Sequence, residues 1–87
     1  MYQVYFSDKT DKQLSKLDKP VKKRILAWIV KNLYNCEDPK VQGKALSGNF
    51  SGFWRYRVGD YRIIAEIVDD VVTIFIIDID HRSSVYK

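Results

Sequence analysis

Along this 87-residue chain the spacing of apolar and polar positions changes period twice. Tyr2 to Phe6 (YQVYF) alternates bulky and polar residues and predicts a short strand. Ser7 or Asp8 is placed to cap a following helix, on which Leu14 and Leu17 share a face. Pro20 suits the first turn of a second helix. There Val21, Ile25, Ile29 and Leu33 recur every four residues, an apolar seam of helical period. The two helices, joined near Asp18 to Pro20, read as a hairpin, and helices this short are marginal alone in water, so both must pack on something. Between Asn35 and Gly52, Pro39 and three glycines interrupt the helical pattern. Lys44, Ala45 and Leu46 read there as a turn that drops Leu46 toward the core. After Gly52 the period becomes two. Phe53–Val58, Tyr61–Val68 and Val71–Ile79 read as strands, with Gly59-Asp60 and Asp69-Asp70 as tight turns between them. Connections this short make the strands antiparallel neighbours. The predicted architecture is α+β: an N-terminal strand, a helical hairpin, then a three-strand antiparallel meander. The helices pack on one face of the small sheet and the other face stays open. One domain spans 1–87, without repeats or linkers.

Alternation assigns side chains to faces. Trp54, Tyr56 and Val58 share one face of the first long strand, and Arg55 and Arg57 the other. In the next strand Tyr61, Ile63, Ala65 and Ile67 oppose Arg62, Ile64 and Glu66. The third strand, VVTIFIIDI, is apolar on both faces and reads as central. With the bulky set beneath the helices, Arg55, Arg57 and Arg62 fall on the uncovered face, unless a bulge near Gly59 shifts the register. His81, Arg82 and Tyr86 follow the last strand and are placed to bend back over that same face. Two readings of these arginines stay open. An arginine on an exposed strand face can be a solvated edge-blocker or the partner of a cross-strand acid, and Glu66 shares the face of Arg62. Alternatively, clustered guanidiniums bind phosphate by forked hydrogen bonds and stack on bases, with Tyr86 as a stacking plane for an unpaired base. His81 alone is either a turn residue or a titrating group, and Trp28 and Trp54 read as core.

Charge sharpens this only a little. Residues 1–51 hold ten Lys/Arg against five Asp/Glu, a balance of +5, whereas residues 52–87 hold five against six, a balance of −1. The first half thus supplies a general anion-attracting field. Cys36 is the single cysteine and His81 the single histidine, too few for a structural zinc site. No phosphate-loop or dinucleotide glycine pattern is present, so no metal or cofactor is expected. No apolar run reaches the roughly 18 residues of a membrane span. The N-terminus lacks the basic-then-apolar pattern of a secretory signal. The expected setting is the cytoplasm, with no membrane partner.

The order of elements resembles the RelE/ParE superfamily of bacterial toxins from toxin–antitoxin pairs. The resemblance runs nearly end to end: a short strand, a helical hairpin and a K-x-L-x-G connector (Lys44, Leu46, Gly48). The stretch W-R-Y-R-V-G-D-Y-R-I-I-A-E-I from Trp54 to Ile67 follows, then an apolar strand, and H-R-x-x-V-Y from His81 to Tyr86. It implies the family's antiparallel-rich sheet flanked by a helical hairpin. For RelE-like members it further implies a ribosome-dependent mRNA endonuclease acting in the decoding site. A ribose 2′-OH attacks the adjacent phosphate, leaving a cyclic phosphate and a 5′-OH, without a metal. Arg55 and Arg57 match the basic pair of the first hairpin strand, and Arg62 the phosphate-binding arginine. Arg82 and Tyr86 match the C-terminal pair implicated in leaving-group protonation and base stacking. Lys44 of the connector joins Arg55, Arg57, Arg62 and Tyr86 as a candidate RNA contact. The best-known members carry lysine at the first pair, one of them assigned as base. Arginine does not deprotonate in proteins, so here the pair is expected to stabilise charge and His81 to be the better base or acid. The implied partners are a cognate antitoxin, the ribosome with its mRNA, and operator DNA only through the antitoxin complex. The alternative within the superfamily is a ParE-like toxin that binds and inhibits DNA gyrase without nuclease activity.

Overall fold

The computed structural model describes residues 2–81, so Arg82 and Tyr86 lie outside the described residues. Strand β1 (Gln3–Phe6) leads into helix α1 (Asp8–Ser15), which Ser7 caps by accepting the Thr10 amide N–H at 3.1 Å. Helix α2 (Lys19–Ile29) starts with Pro20 in its first turn. It continues through a wider π-type turn, Val30–Tyr34, which carries Leu33 fully inside. The apolar seam behaves as its spacing predicts: Ile25, Ile29 and Leu33 are buried and Val21 packs beside them.

Five strands form one mixed sheet in the order β1-β5-β4-β3-β2, with β2 at Lys44–Ala45, β3 at Phe53–Val58, β4 at Tyr61–Val68 and β5 at Thr73–His81. The antiparallel meander β3–β4–β5 is as expected. Three features differ from the sequence-based expectation. The N-terminal strand adds in parallel to the outer edge of β5, which the helical crossover permits. The Lys44–Ala45 segment is a two-residue edge strand against Arg55 and Trp54 rather than a turn. Finally, the β4–β5 connection is a 3-10 turn, Asp69–Val71, followed by Val72 at φ 49°, and β5 begins only at Thr73. Asp69 is held from outside that turn by the Tyr2 hydroxyl at 2.9 Å and the Lys40 ammonium at 3.0 Å. These partners draw its carboxyl below the usual range, the Lys40 hydrogen bond foremost. The Val72 carbonyl accepts the Gln3 N–H at 2.9 Å. A β-branched residue therefore tolerates a left-handed backbone because both ends of the turn are fixed by β1 and the connector.

The core lies between the helices and the face of the sheet bearing Tyr56, Val58, Ile63, Ala65, Ile74, Ile76 and Ile79. Tyr56 sits fully buried at its centre, its ring 5.6 Å from that of Trp28. Its hydroxyl donates to the Pro39 carbonyl at 2.6 Å, and burial pushes the phenol well above its ordinary pKa. Gly43 closes over the same ring. A Cβ there would stand 2.7 Å from Tyr56 Cε1. The connector is thus pinned to the core just before it delivers Lys44 to the sheet edge. Tyr56→Phe removes the only side-chain donor described for the buried Pro39 carbonyl. It is expected to lower the unfolding free energy by about 1–3 kcal/mol, measured by urea denaturation followed through tryptophan fluorescence.

Candidate functional site

Cross-strand partners in an antiparallel ladder point to the same side of a sheet, so the pairing register assigns each candidate to a face. Lys44 pairs with Arg55, Arg55 with Ile64, and Ile64 with Asp78, making one row across four strands. Arg57 pairs with Arg62 and Arg62 with Asp80, making a second row two residues along. Strands lie about 4.8 Å apart, so the second row spans roughly 10 Å. Both rows lie opposite Tyr56 and Ile63, on the face away from the helices. The expectation that Arg55, Arg57 and Arg62 share that face is met. They are not equally open to solvent, however: Arg57 is exposed, Arg55 half-buried and Arg62 only 3% exposed.

His81 goes elsewhere. It pairs with Tyr61, and the two rings meet edge-on with centroids 5.3 Å apart. Tyr61 belongs to the helix-side set, so the imidazole stands on the opposite side of the sheet from the guanidiniums. The expectation that it joins them on the open face is corrected. The cause is a β-bulge between Ile64 and Ala65, which pair with Asp78 and Ile76 and leave Ile77 as an additional residue on β5. The bulge is not near Gly59, where the sequence raised the possibility. Its origin is the order of residues in I-I-D-I-D-H. Strict alternation from Ile74 and Ile76 would push Asp78 and Asp80 under the helices, and an uncompensated buried carboxylate costs several kcal/mol. One added residue returns Ile79 to the core at 3% exposure and turns both carboxylates outward.

The outward side carries a cleft of about 400 Å³ lined by Leu46, Phe50, Arg55, Arg62, Ile64, Asp78 and Asp80. A second hollow of about 380 Å³ runs along the edge of β3 beside Lys44, Arg55, Arg57 and Trp28. Arg55 borders both. Ion pairs on the described residues include Lys9–Asp78 at 3.4 Å and Lys40–Asp69 at 3.0 Å. Neither engages Lys44, Arg55 or Arg57. Glu66, the acid suspected of neutralising Arg62, instead pairs with Phe53 and Phe75 on the far side of the bulge. That end of the face is aromatic, with Tyr5 and Phe75 stacked at 5.8 Å.

Several groups here escaped sequence reasoning. Asp78 and Asp80 occupy alternate positions in a strand that looked apolar on both faces, and only the bulge decides their side. Phe50, in a short 3-10 turn of the connector, is 57% exposed at the rim of the cleft. Its signal was an aromatic residue stranded among glycines and serines. Gln13 carried no signal in the sequence. Its amide donates to Asp78 Oδ1 at 2.7 Å and accepts the Ile79 N–H at 2.8 Å, closing the β5 edge beyond the end of β1.

Two helices laid on one side of a small mixed sheet, with an arginine-bearing cleft on the other, define a RelE-type toxin fold. A family model for the ParE toxin of type II toxin–antitoxin systems, parDE, matches residues 4–86, and the chain belongs to this family as a RelE-like toxin. It is 32% identical to Toxin RelG of Mycobacterium tuberculosis over 88 aligned positions, covering 99% of this chain and 97% of that protein. The toxin–antitoxin complex RelBE2 from Mycobacterium tuberculosis contains a chain 28% identical, with a TM-score of 0.84 over 93% of this chain and 98% of that one. The isolated E. coli RelE toxin shares the fold at 21% identity, with a TM-score of 0.74 over 99% of this chain and 92% of that one.

Because Gln13 serves both a backbone donor and a carboxylate, Gln13→Ala is expected to lower the unfolding free energy by about 1–3 kcal/mol. Urea denaturation measures the loss, and hydrogen exchange should locate the loosened amide at Ile79.

Proposed function

We propose that this toxin cleaves mRNA in the decoding site of the ribosome and so halts translation. The observation that carries the reading is the set of Lys44, Arg55 and Arg57 beside a cleft holding a buried Arg62. A phosphodiester entering it meets preorganised, partly desolvated cations, the arrangement that stabilises charge developing on phosphorus. The reaction is attack of the 2′-oxygen on the adjacent phosphate and departure of the 5′-oxygen. Arg55, Arg57 and Arg62 position the phosphate and neutralise the phosphorane. Phe50 at the rim offers a plane on which the flanking base stacks. Arg82 and Tyr86, implied by the family resemblance, complete the proposed set as leaving-group and stacking residues. His81 would act only from the sheet's rim, since its register gives it no direct share in the cleft.

Relatives named as toxin–antitoxin complexes support a cognate antitoxin as partner, with operator DNA contacted through the antitoxin. None of the described helices is long and apolar enough to cross a membrane, and the proposed site of action is the cytoplasm, where the ribosomes are. The family model bears the ParE name, but the RelG and RelBE relatives favour the RNA-cleaving branch over gyrase inhibition.

In a translating extract, wild-type protein is expected to produce discrete cuts mapped by primer extension. Arg55→Gln should cut about a hundredfold or more slowly, the usual cost of losing one transition-state donor. Arg62 is a poor probe because its burial couples activity to folding. Intact message at saturating protein, with loss of gyrase supercoiling, would transfer the chain to the gyrase alternative. Phe50→Ala should weaken binding to the programmed ribosome by about 1–3 kcal/mol and leave the melting temperature unchanged.

A further inference from the structure

The bulge that removes the histidine from the cationic face delivers a carboxylate to it. We infer that Asp80 accepts the proton from the attacking 2′-OH, an inference that rests on the cleavage reading above. An arginine-only site can hold and neutralise a phosphate but cannot take up a proton, because guanidinium stays protonated. The described acids on this face are Glu66, Asp78 and Asp80. Glu66 stands among the aromatics and does not line the cleft. Asp78 lines it, but its Oδ1 is engaged by Gln13 at 2.7 Å and Lys9 at 3.4 Å, from α1 at the sheet edge. Asp80 pairs across the ladder with Arg62 and lines the same cleft as Arg55. The His81 backbone N–H donates to Asp80 Oδ1 at 2.8 Å. That bond helps orient the carboxylate, whose two oxygens together accept several hydrogen bonds and so can also receive a substrate hydroxyl.

The step balances without a further reactant other than water. The 2′-OH gives its proton to an Asp80 oxygen while the O2′–P bond forms. The P–O5′ bond breaks, and the leaving oxygen takes a proton from water or a nearby acid. Asp80 then returns its proton to solvent, leaving a 2′,3′-cyclic phosphate and a 5′-OH. Arg62, next to Asp80 in the ladder, holds the phosphate whose neighbouring hydroxyl is activated, so nucleophile and electrophile are brought together by adjacent strands.

The test measures single-turnover cleavage of a short mRNA on programmed ribosomes. Two messages are used, the natural one and one with bridging sulfur in place of the 5′-oxygen, whose departure needs no acid. Asp80→Asn keeps the shape and an acceptor for the His81 N–H. It is expected to cut about a hundredfold or more slowly on both messages, while binding the programmed ribosome within a few-fold of wild type. Asp80→Glu should recover part of the rate and guards against a folding defect. Three results would each overturn the inference while leaving the cleavage reading intact. One is Asp80→Asn cutting within about threefold of wild type. Another is full recovery on the sulfur-bridged message, which would make Asp80 a proton donor. The third is a rate loss matched by lost binding, which would make it a structural partner. Wild-type protein that leaves both messages whole would end the cleavage reading and this inference together.

Discussion

The placement of charge in this toxin depends on one irregularity, the additional residue at Ile77 in β5. Before it, Ile74 and Ile76 face the helices. After it, Ile79 does so again, out of step with simple alternation. The core demands all three isoleucines, and the two aspartates between and after them cannot be buried beneath apolar helices without compensation. A one-residue bulge satisfies both demands and costs little more than a local break in the ladder. The face opposite the helices acquires Asp78 and Asp80 by the same displacement that takes away its imidazole.

That constraint links core packing to chemistry. Tyr56, Trp28 and Gly43 fix the connector against the core and so set where Lys44 meets β3. Gln13 seals the edge of β5 and ties up Asp78. What remains on the far side is a set of cations held on regular strands rather than on loops, with Asp78 and Asp80 beside them. Groups on strands are held more tightly than groups on loops, which suits the proposed task of orienting a phosphodiester. Arg62 shows the cost and the use of this arrangement. Its burial raises the strength of any interaction with phosphate and also makes it part of the fold.

Two halves of the outer face differ in kind. One end is ionic, around Arg57, Arg62 and Asp80, and the other is aromatic, around Tyr5 and Phe75. Phe50 brings a second exposed aromatic ring to the rim of the ionic cleft. A nucleotide chain has the same two characters, charged backbone and stacking bases, and a surface that offers both can hold it without reading its sequence.

Much of this was legible in the residues themselves. Helical period in α2, alternation in β3 and β4, and the Gly59-Asp60 turn follow from local chemistry, and local chemistry is written in consecutive residues. The shared face of Arg55, Arg57 and Arg62 followed too, because no irregularity interrupts the β3–β4 ladder. The parallel docking of β1, the pairing of Lys44–Ala45 and the left-handed Val72 were not legible, since each is set by a partner distant in the chain. Nor was the side on which Asp80 and His81 stand. A strand apolar on both faces carries no alternation to read, so only packing beneath the helices could decide which residues turn inward and which meet the arginines.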